Sequence, residues 1–252
     1  MSESPPGPCQ VCGAAAHDFA AERDGHRYWR CRGCGLVALH PPPAEAELAE
    51  LYGDPDRALT RAYFSKIPSK LRRARSRARL IARRMRGRRG RFLDVGCSGG
   101  FMTEAAREQG FEAHGLDPDA ASVAWARGRW PANSYYAGRL EGDALPSGLR
   151  FDAAYCSEVL EHVADAGAFM AALSARLTPG ALLYLTTPDI GHWRRPRNLL
   201  DWDVFTPPHH CVFFTADALA RLFARHGLRI VERRPAFKPG LKVLARKEGE
   251  AA

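Results

Sequence analysis

Four of the seven cysteines fall into two C-x-x-C pairs, Cys9 with Cys12 and Cys31 with Cys34, and eighteen residues separate the pairs. Two such pairs present four thiolates in the tetrahedron that Zn²⁺ prefers, and a turn glycine closes each, Gly13 and Gly35. The pattern predicts a zinc ribbon in which Cys9, Cys12, Cys31 and Cys34 hold a structural Zn²⁺ with no open coordination position. Metal binding then folds about forty residues that are too few to bury a core of their own. A redox pair occurs once and beside a βαβ unit, and a cytosolic chain does not keep disulfides, so neither alternative fits. His17, His26 and His40 lie nearby, but four thiolates already fill the site. Cys97, Cys156 and Cys211 stand apart and are expected as free thiols.

Pro41, Pro42 and Pro43 form a stiff connector without N–H donors, which places a boundary after residue 43. The expected organisation is a ribbon over residues 1–43, a basic helical linker or lid over 44–90, and a core over 91–252. Within the linker, residues 44–52 and 69–86 read as helices, with Tyr52, Tyr63 and Phe64 between them. For 252 residues, 46% hydrophobic and 26% charged content suits a globular protein and excludes disordered, collagen-like and disulfide-dense chains. No run reaches the roughly 18 apolar residues of a membrane span, and the first residues lack the features of a secretion signal, so a cytoplasmic protein is expected.

The net charge of +9 favours anionic partners. Most of the excess lies between Lys70 and Arg91, which hold twelve Lys/Arg and no acid. A solvated helical face accounts for this run, and an RNA-binding helix is the sharper alternative. Against RNA, no aromatic side chain for base stacking occurs from Leu71 to Arg91.

The core begins with an apolar run, Arg91 to Val95, that opens into Gly96-Cys97-Ser98-Gly99-Gly100 and then a helical pattern through Gln109. A second strand, Phe111 to Leu116, ends in Asp117, where an acid can hold two ribose hydroxyls. Further strands over Phe151 to Cys156 and Ala181 to Thr186, separated by helical segments, predict an α/β fold with a doubly wound parallel sheet. Its site belongs at the C-terminal edge of the strands. The glycine turn is not G-x-G-x-x-G and no Walker motif occurs, which disfavours a dehydrogenase and a P-loop nucleotidase.

Taken in order, Asp94-Val-Gly-Cys-Ser-Gly-Gly-Phe, Gly115-Leu-Asp-Pro, Phe151-Asp-Ala-Ala-Tyr-Cys-Ser-Glu-Val-Leu-Glu-His-Val, Leu177-Thr-Pro-Gly-Ala-Leu-Leu and Thr186-Thr-Pro-Asp resemble the motifs of class I S-adenosylmethionine-dependent methyltransferases. The double knuckle, Cys34-Gly-Leu-Val, the following proline and the Leu51-Tyr52 pair resemble a zinc-ribbon-bearing branch that modifies sugars, polysaccharides and natural products. The resemblance implies a seven-stranded Rossmann-like sheet and S-adenosyl-L-methionine as cofactor. It places the cofactor's methionine end over Gly96 to Gly100, with Asp94 acting through the loop, and its ribose at Asp117. Ser98 stands where the family often has glycine. The adenine edge falls to Leu140 or to Asp143.

Methyl transfer to oxygen also requires removal of a proton, by a general base or with help from a divalent cation. Glu158, Glu161 and His162 are expected on one helix, where i, i+3, i+4 spacing aims all three at the pocket. His210 completes a set of two carboxylates and two imidazoles. This E-x-x-E-H pattern resembles that of ubiquinone-pathway O-methyltransferases and small-RNA 3′-end 2′-O-methyltransferases, implying Mg²⁺ or Mn²⁺, with Zn²⁺ also suited to mixed ligands. Two other readings stand: His162 or His210 as a base without metal, or Glu158 at a helix N-terminus with His162 lining the cofactor cleft. In the long connection from Ile190 to Pro207, Trp193 and Trp202 can cover a flat ring and Arg194, Arg195 and Arg197 can meet an anionic, sugar-bearing acceptor. Surface arginines around a packed tryptophan explain that loop equally. The leading expectation is an O-methyltransferase of a small-molecule or carbohydrate-type acceptor. The alternatives are an RNA methyltransferase, with ribbon and Arg-rich helix as its binding arm, and a non-catalytic cofactor-binding scaffold.

Overall fold

The computed structural model describes residues 6–44, 47 and 67–249. The helix expected over 44–52 and the aromatic residues Tyr52, Tyr63 and Phe64 lie outside the described residues, apart from positions 44 and 47. Strands β1 (His17–Arg23) and β2 (His26–Cys31) form a hairpin, with Arg23 paired to His26. Its two turn residues, Asp24 and Gly25, both have positive φ (52° and 78°), the turn geometry that matches strand twist. Strand β3 (Val37–Leu39) adds antiparallel to β2, and the fourth strand of this sheet, β9 (Val212–Phe213), comes from the far end of the chain. The ribbon sheet is thus completed by the core.

Helix α1 (Ile67–Arg84) is built of strong helix formers, Arg, Ala and Leu, and buries Ala74, Ala78, Ile81 and Ala82 as one stripe. The core alternates β4 (Arg91–Val95), α2 (Phe101–Arg107), β5 (Glu112–Asp117), α3 (Ala120–Arg129), β6 (Ser134–Ala137), β7 (Phe151–Ser157), α4 (Ala166–Ala175) and β8 (Leu177–Thr187). After the long loop and β9 come α5 (Ala216–Arg225), β10 (Leu228–Arg233) and β11 (Leu241–Lys247). The seven strands run β10-β11-β8-β7-β4-β5-β6, all parallel except β11.

Side chains alternate across this sheet as the two-residue period demands. Phe92, Ala153, Tyr155, Leu182, Tyr184 and Leu244 face α1, α2 and α3, whereas Leu93, Val95, Cys156, Leu183, Leu185 and Val243 face α4 and α5. Covering both faces explains why the central strands are nearly continuous apolar runs. Strand order reverses between β4 and β7, so the crevice beyond their C-terminal ends is where such a sheet can take a ligand.

Two contacts lock the ribbon to the core. The knuckle side chains Cys9, Val11, Cys31 and Leu36 continue the apolar layer over α4 and α5. Here Thr215 Oγ1 donates to the Cys34 carbonyl (2.8 Å) and Arg225 donates to the carbonyls of Gln10 and Val11 (2.8 and 2.7 Å). On the other side Ile190, Leu199, Trp202 and Phe205 of the long loop pack on Tyr28, Val37 and Leu39. Trp202 therefore fills the ribbon–core joint, being 4% exposed, and does not cover an acceptor; Trp193, 83% exposed, remains at the surface. Among the described residues no helix is long and apolar enough to cross a membrane.

Candidate active site

The turn after β4 is shaped by three left-handed residues, Gly96 (φ 71°), Ser98 (φ 43°) and Gly100 (φ 69°). A Cβ at Gly96 would meet Val159 at 2.4 Å, and one at Gly100 would meet the Tyr135 hydroxyl at 2.5 Å, so both glycines are required. Ser98 tolerates a conformation that costs an L-residue about 1–2 kcal/mol, which explains the glycine often found at this place in the family. Asp94 is fully buried and holds the start of α2, its Oδ2 accepting from Thr103 N (3.0 Å) and Thr103 Oγ1 (2.8 Å). Burial lifts its carboxyl to about 7, with the Thr103 bonds opposing. Asp117 accepts from Ser98 N (2.8 Å) and Asp119 N (2.9 Å), tying the turns after β4 and β5 together. Burial raises its carboxyl as well.

Beyond this turn opens a cleft of about 390 Å³, lined by Asp94, Gly96, Cys97, Tyr155, Ser157 and Glu158, and walled by Lys70, Arg73 and Arg77 of α1. The basic run is therefore divided in use. Arg75 pairs with Glu108 (2.5 Å) and Arg84 with Glu232 (2.7 Å), while Arg77 donates to the Tyr155 hydroxyl and Lys70 lies 5.6 Å over the Phe101 ring. Burial lowers Lys70 to about 8, helped by the neighbouring charge of Arg73. The sequence held a signal for this wall: Lys70, Arg73 and Arg77 share one face at i, i+3, i+7, beside the alanine stripe. Leu140 is buried in the apolar layer after β6, and neither it nor Asp143 lines this cleft.

Next to the cleft, Glu161, His162 and His210 bring one ligand atom each within 4.8 Å of one another. The single helix expected for Glu158, Glu161 and His162 does not form. β-Branched Val159 and Val163 flank a single 3-10 turn, Leu160–His162, and Asp165 caps a new helix through Ala168 N (2.9 Å). Glu158 precedes the turn with φ 56°, a strained conformation of the kind that gathers at functional sites. Its carboxylate accepts from Thr186 Oγ1 (2.7 Å) and faces the cleft, so Glu158 stands beside the trio and links it to the cleft.

Glu161 is fully buried. Its Oε2 accepts from Thr187 Oγ1 (2.9 Å), whereas no donor among the described residues reaches Oε1. Burial pushes this carboxyl up to about 8, and the charge of Glu158 adds to the effect. His162 Nδ1 meets the His209 carbonyl (2.8 Å) and His210 Nδ1 the Val204 carbonyl (2.5 Å). Both rings thus carry the proton on Nδ1 and the lone pair on Nε2. Burial depresses both imidazoles, His162 to about 4, and the two rings meet edge to face at 4.5 Å. A buried acceptor without a donor, beside two neutral imidazoles, is the donor set that a divalent cation satisfies.

In the ribbon all four cysteine sulfurs lie within 4.8 Å of one another, with Cys9 to Cys34 at 3.7 Å and Cys12 to Cys31 at 3.5 Å. Thiolates about 2.3 Å from one tetrahedral zinc are about 3.8 Å apart, so the arrangement fits that ion. Gly13 and Gly35, both at φ 75°, return their N–H groups to the carbonyls of Cys9 and Cys31. The Cys9–Cys34 hydrogen bond lowers Cys9 and raises Cys34, favouring a thiolate in the pair. Cys97, Cys156 and Cys211 are each buried, and burial pushes their thiols up.

Residues 63–233 match a family described as Methyltransferase domain. The ubiquinone biosynthesis O-methyltransferase of Nitrobacter winogradskyi is 31% identical over 161 residues, 56% of this chain and 58% of that protein. The Brucella ovis protein of the same name is 37% identical over 101 residues, 38% of this chain and 40% of its own length. The matches thus span about half the length of these curated relatives. A solved structure of similar fold is CalS10 with bound S-adenosylmethionine, an amino pentose methyltransferase from Micromonospora echinaspora. It has a TM-score of 0.52 at 21% identity, covering 69% of this chain and 91% of CalS10.

Proposed function

Given that the chain belongs to the class I S-adenosylmethionine-dependent methyltransferases, we propose that it methylates a hydroxyl oxygen of a small-molecule or carbohydrate-type acceptor. The observation that carries this reading is the buried Glu161 Oε1, left without a donor beside two imidazoles at the sheet edge. S-adenosylmethionine, when bound, would supply an electrophilic methyl on a sulfonium; an aligned nucleophile takes the methyl in line, and S-adenosylhomocysteine leaves as the neutral thioether. The residues present suit that cofactor: a glycine turn at the strand-order reversal, an acid closing the second strand, and a cationic wall. Gly96, Ser98 and Gly100 take the methionine end, Asp94 holds their turn, and Asp117 takes the ribose hydroxyls with its remaining lone pairs. Lys70, Arg73 and Arg77 face the cofactor's carboxylate.

On the acceptor side, Glu161, His162 and His210 are the residues that would hold a divalent cation, with Glu161 Oε1 and the two Nε2 atoms as the donors left over by their other hydrogen bonds. Two imidazoles favour Mn²⁺ or Zn²⁺ over Mg²⁺. A cation held there would supply Lewis-acid activation of the acceptor hydroxyl, and Glu158, within the cleft, is placed to receive the proton. In the absence of a cation, Nε2 of His210 or His162 is the base. In the ribbon, Cys9, Cys12, Cys31 and Cys34 hold a structural Zn²⁺. An RNA acceptor finds less support, since Arg75, Arg77 and Arg84 are engaged within the fold and not presented as a free arm.

S-adenosylmethionine is expected to raise the melting temperature where NAD does not, and Asp117→Ala to remove most of that shift. An assay of S-adenosylhomocysteine release against hydroxyl acceptors, vicinal diols first, should lose activity in EDTA and regain it with Mn²⁺. Full activity in EDTA with a bell-shaped pH profile transfers the role to histidine. No ligand-dependent shift and no turnover with any acceptor overturn the assignment.

A further inference from the structure

The segment that delivers His210 to the cluster is gripped by the ribbon at three points, one from each of its strands. From β2, the Tyr28 hydroxyl donates to the His210 carbonyl (2.7 Å). From β3, Leu39 N donates to the Cys211 carbonyl (2.8 Å), while Cys211 N in turn donates to the Glu161 carbonyl (2.7 Å). From β1, the Arg23 guanidinium donates to the carbonyls of Leu200 and Phe205, flanking Val204, whose own carbonyl orients the His210 ring. Tyr28 is fully buried, its ring 4.4 Å from Phe205 and 6.0 Å from Phe213, and the latter lies 6.0 Å from the His210 ring.

We infer that Tyr28, on the zinc ribbon, is a positioning residue for His210, so that the ribbon sets the geometry of the cluster in the core. The inference rests on the reading of Glu161, His162 and His210 as a cation site. Apolar packing alone does not supply this role. A phenyl ring in the same place keeps the contacts with Phe205 and Phe213 and loses only the bond to the His210 backbone. Without that bond the carbonyl of residue 210 loses its donor, the peptide is held by the Cys211 N–H on the Glu161 carbonyl alone, and the Nε2 of the His210 side chain is less firmly kept in register with Glu161 and His162. Supporting bonds of this kind, made to the residues that carry ligands and not to the ion, typically change metal affinity by about 10–100-fold. The arrangement gives the ribbon a task that its cysteines do not reveal: its three strands hold the segment that carries His210.

The test is Mn²⁺ binding by electron paramagnetic resonance on the full-length protein, comparing the parent with Tyr28→Phe, Arg23→Lys and His210→Ala. Tyr28→Phe should weaken Mn²⁺ binding by about tenfold and lower kcat, with zinc content, S-adenosylmethionine affinity and the KM for the cofactor unchanged. Arg23→Lys, acting on the same segment by a separate contact, should shift Mn²⁺ affinity in the same direction and by less. A folded Tyr28→Phe with Mn²⁺ affinity within about twofold of the parent, while His210→Ala abolishes binding, overturns the inference alone. A parent that takes up no Mn²⁺ overturns it together with the cation-site reading.

Discussion

Among the described residues, the two clusters of ligand-type side chains are built in opposite ways. Cys9, Cys12, Cys31 and Cys34 come from two knuckles, each formed by four consecutive residues and closed by a left-handed glycine. Their sulfurs meet one another across the pair of knuckles, and the knuckles' own turns carry them. Glu161, His162 and His210 come from a 3-10 turn and from a loop forty-eight residues beyond it, and the cluster keeps a buried carboxylate oxygen without a donor. Beside it sits a left-handed Glu158, and the cleft that Glu158 lines also holds a buried Asp94 whose carboxyl is lifted to about 7. A closed set of local ligands stabilises a fold. An under-satisfied set assembled from distant segments costs stability, and a folded protein keeps such a set where it has chemistry to perform.

The largest expected effect tests whether the ribbon is the stabilising partner. Cys34→Ser should remove the zinc, collapse the cooperative melting transition of the ribbon–core joint and abolish turnover, read by elemental analysis, calorimetry and activity. A variant with zinc lost but an unchanged melting temperature would break the comparison at its first term. Next in size, Glu161→Gln and His210→Ala should each lower kcat by about a hundredfold while S-adenosylmethionine affinity changes little. Neither should destabilise the protein as Cys34→Ser does; if either unfolds it, the second cluster is structural after all.

The smallest effect concerns the cost of the strained edge. Burial raises the Asp94 carboxyl above its ordinary value near 3.8 to about 7, so the neutral form is the one the fold favours. Its stabilising contribution is complete below the unfolded value and is lost as the pH climbs to about 7. Asp94→Asn should therefore match the parent's melting temperature near pH 4 and exceed it by a few degrees at pH 8, in the absence of cofactor. A constant difference across that range would show that Asp94 is not titrating.

How much could be read in advance depended on distance along the chain. The double knuckle, the strand-turn-helix from Arg91 to Gln109 and the acid ending the second strand follow from spacing and period, and each is found where expected, with α2 ending at Arg107. The convergence of Glu161, His162 and His210 was also legible, but by the wrong route. The α-helical spacing presumed for residues 158–162 gave way to a single 3-10 turn, because valines on both sides and the Asp165 cap end it. Trp202 read equally as an acceptor cover or as a packed side chain, and the structure makes it a joint between ribbon and core, since nothing in a loop's composition says which surface it meets. The three α1 cations read as a solvated face and stand in the cleft wall.

By itself the sequence determined the parts whose cause is local: the zinc-type knuckles, the alternation of strand and helix, and the glycine turn that only residues tolerant of positive φ can form. Tertiary structure alone decided what those parts do to one another. Strand β9 pairs with the ribbon across more than one hundred and seventy residues, Val37 against Phe213, and that pairing carries Tyr28 to His210 and His210 to Glu161. Hydrogen bonds between backbone groups are the same for every sequence, so which strand meets which is settled by the apolar surfaces that close together. That closure, and not any motif, brings the ribbon against the segment that carries His210.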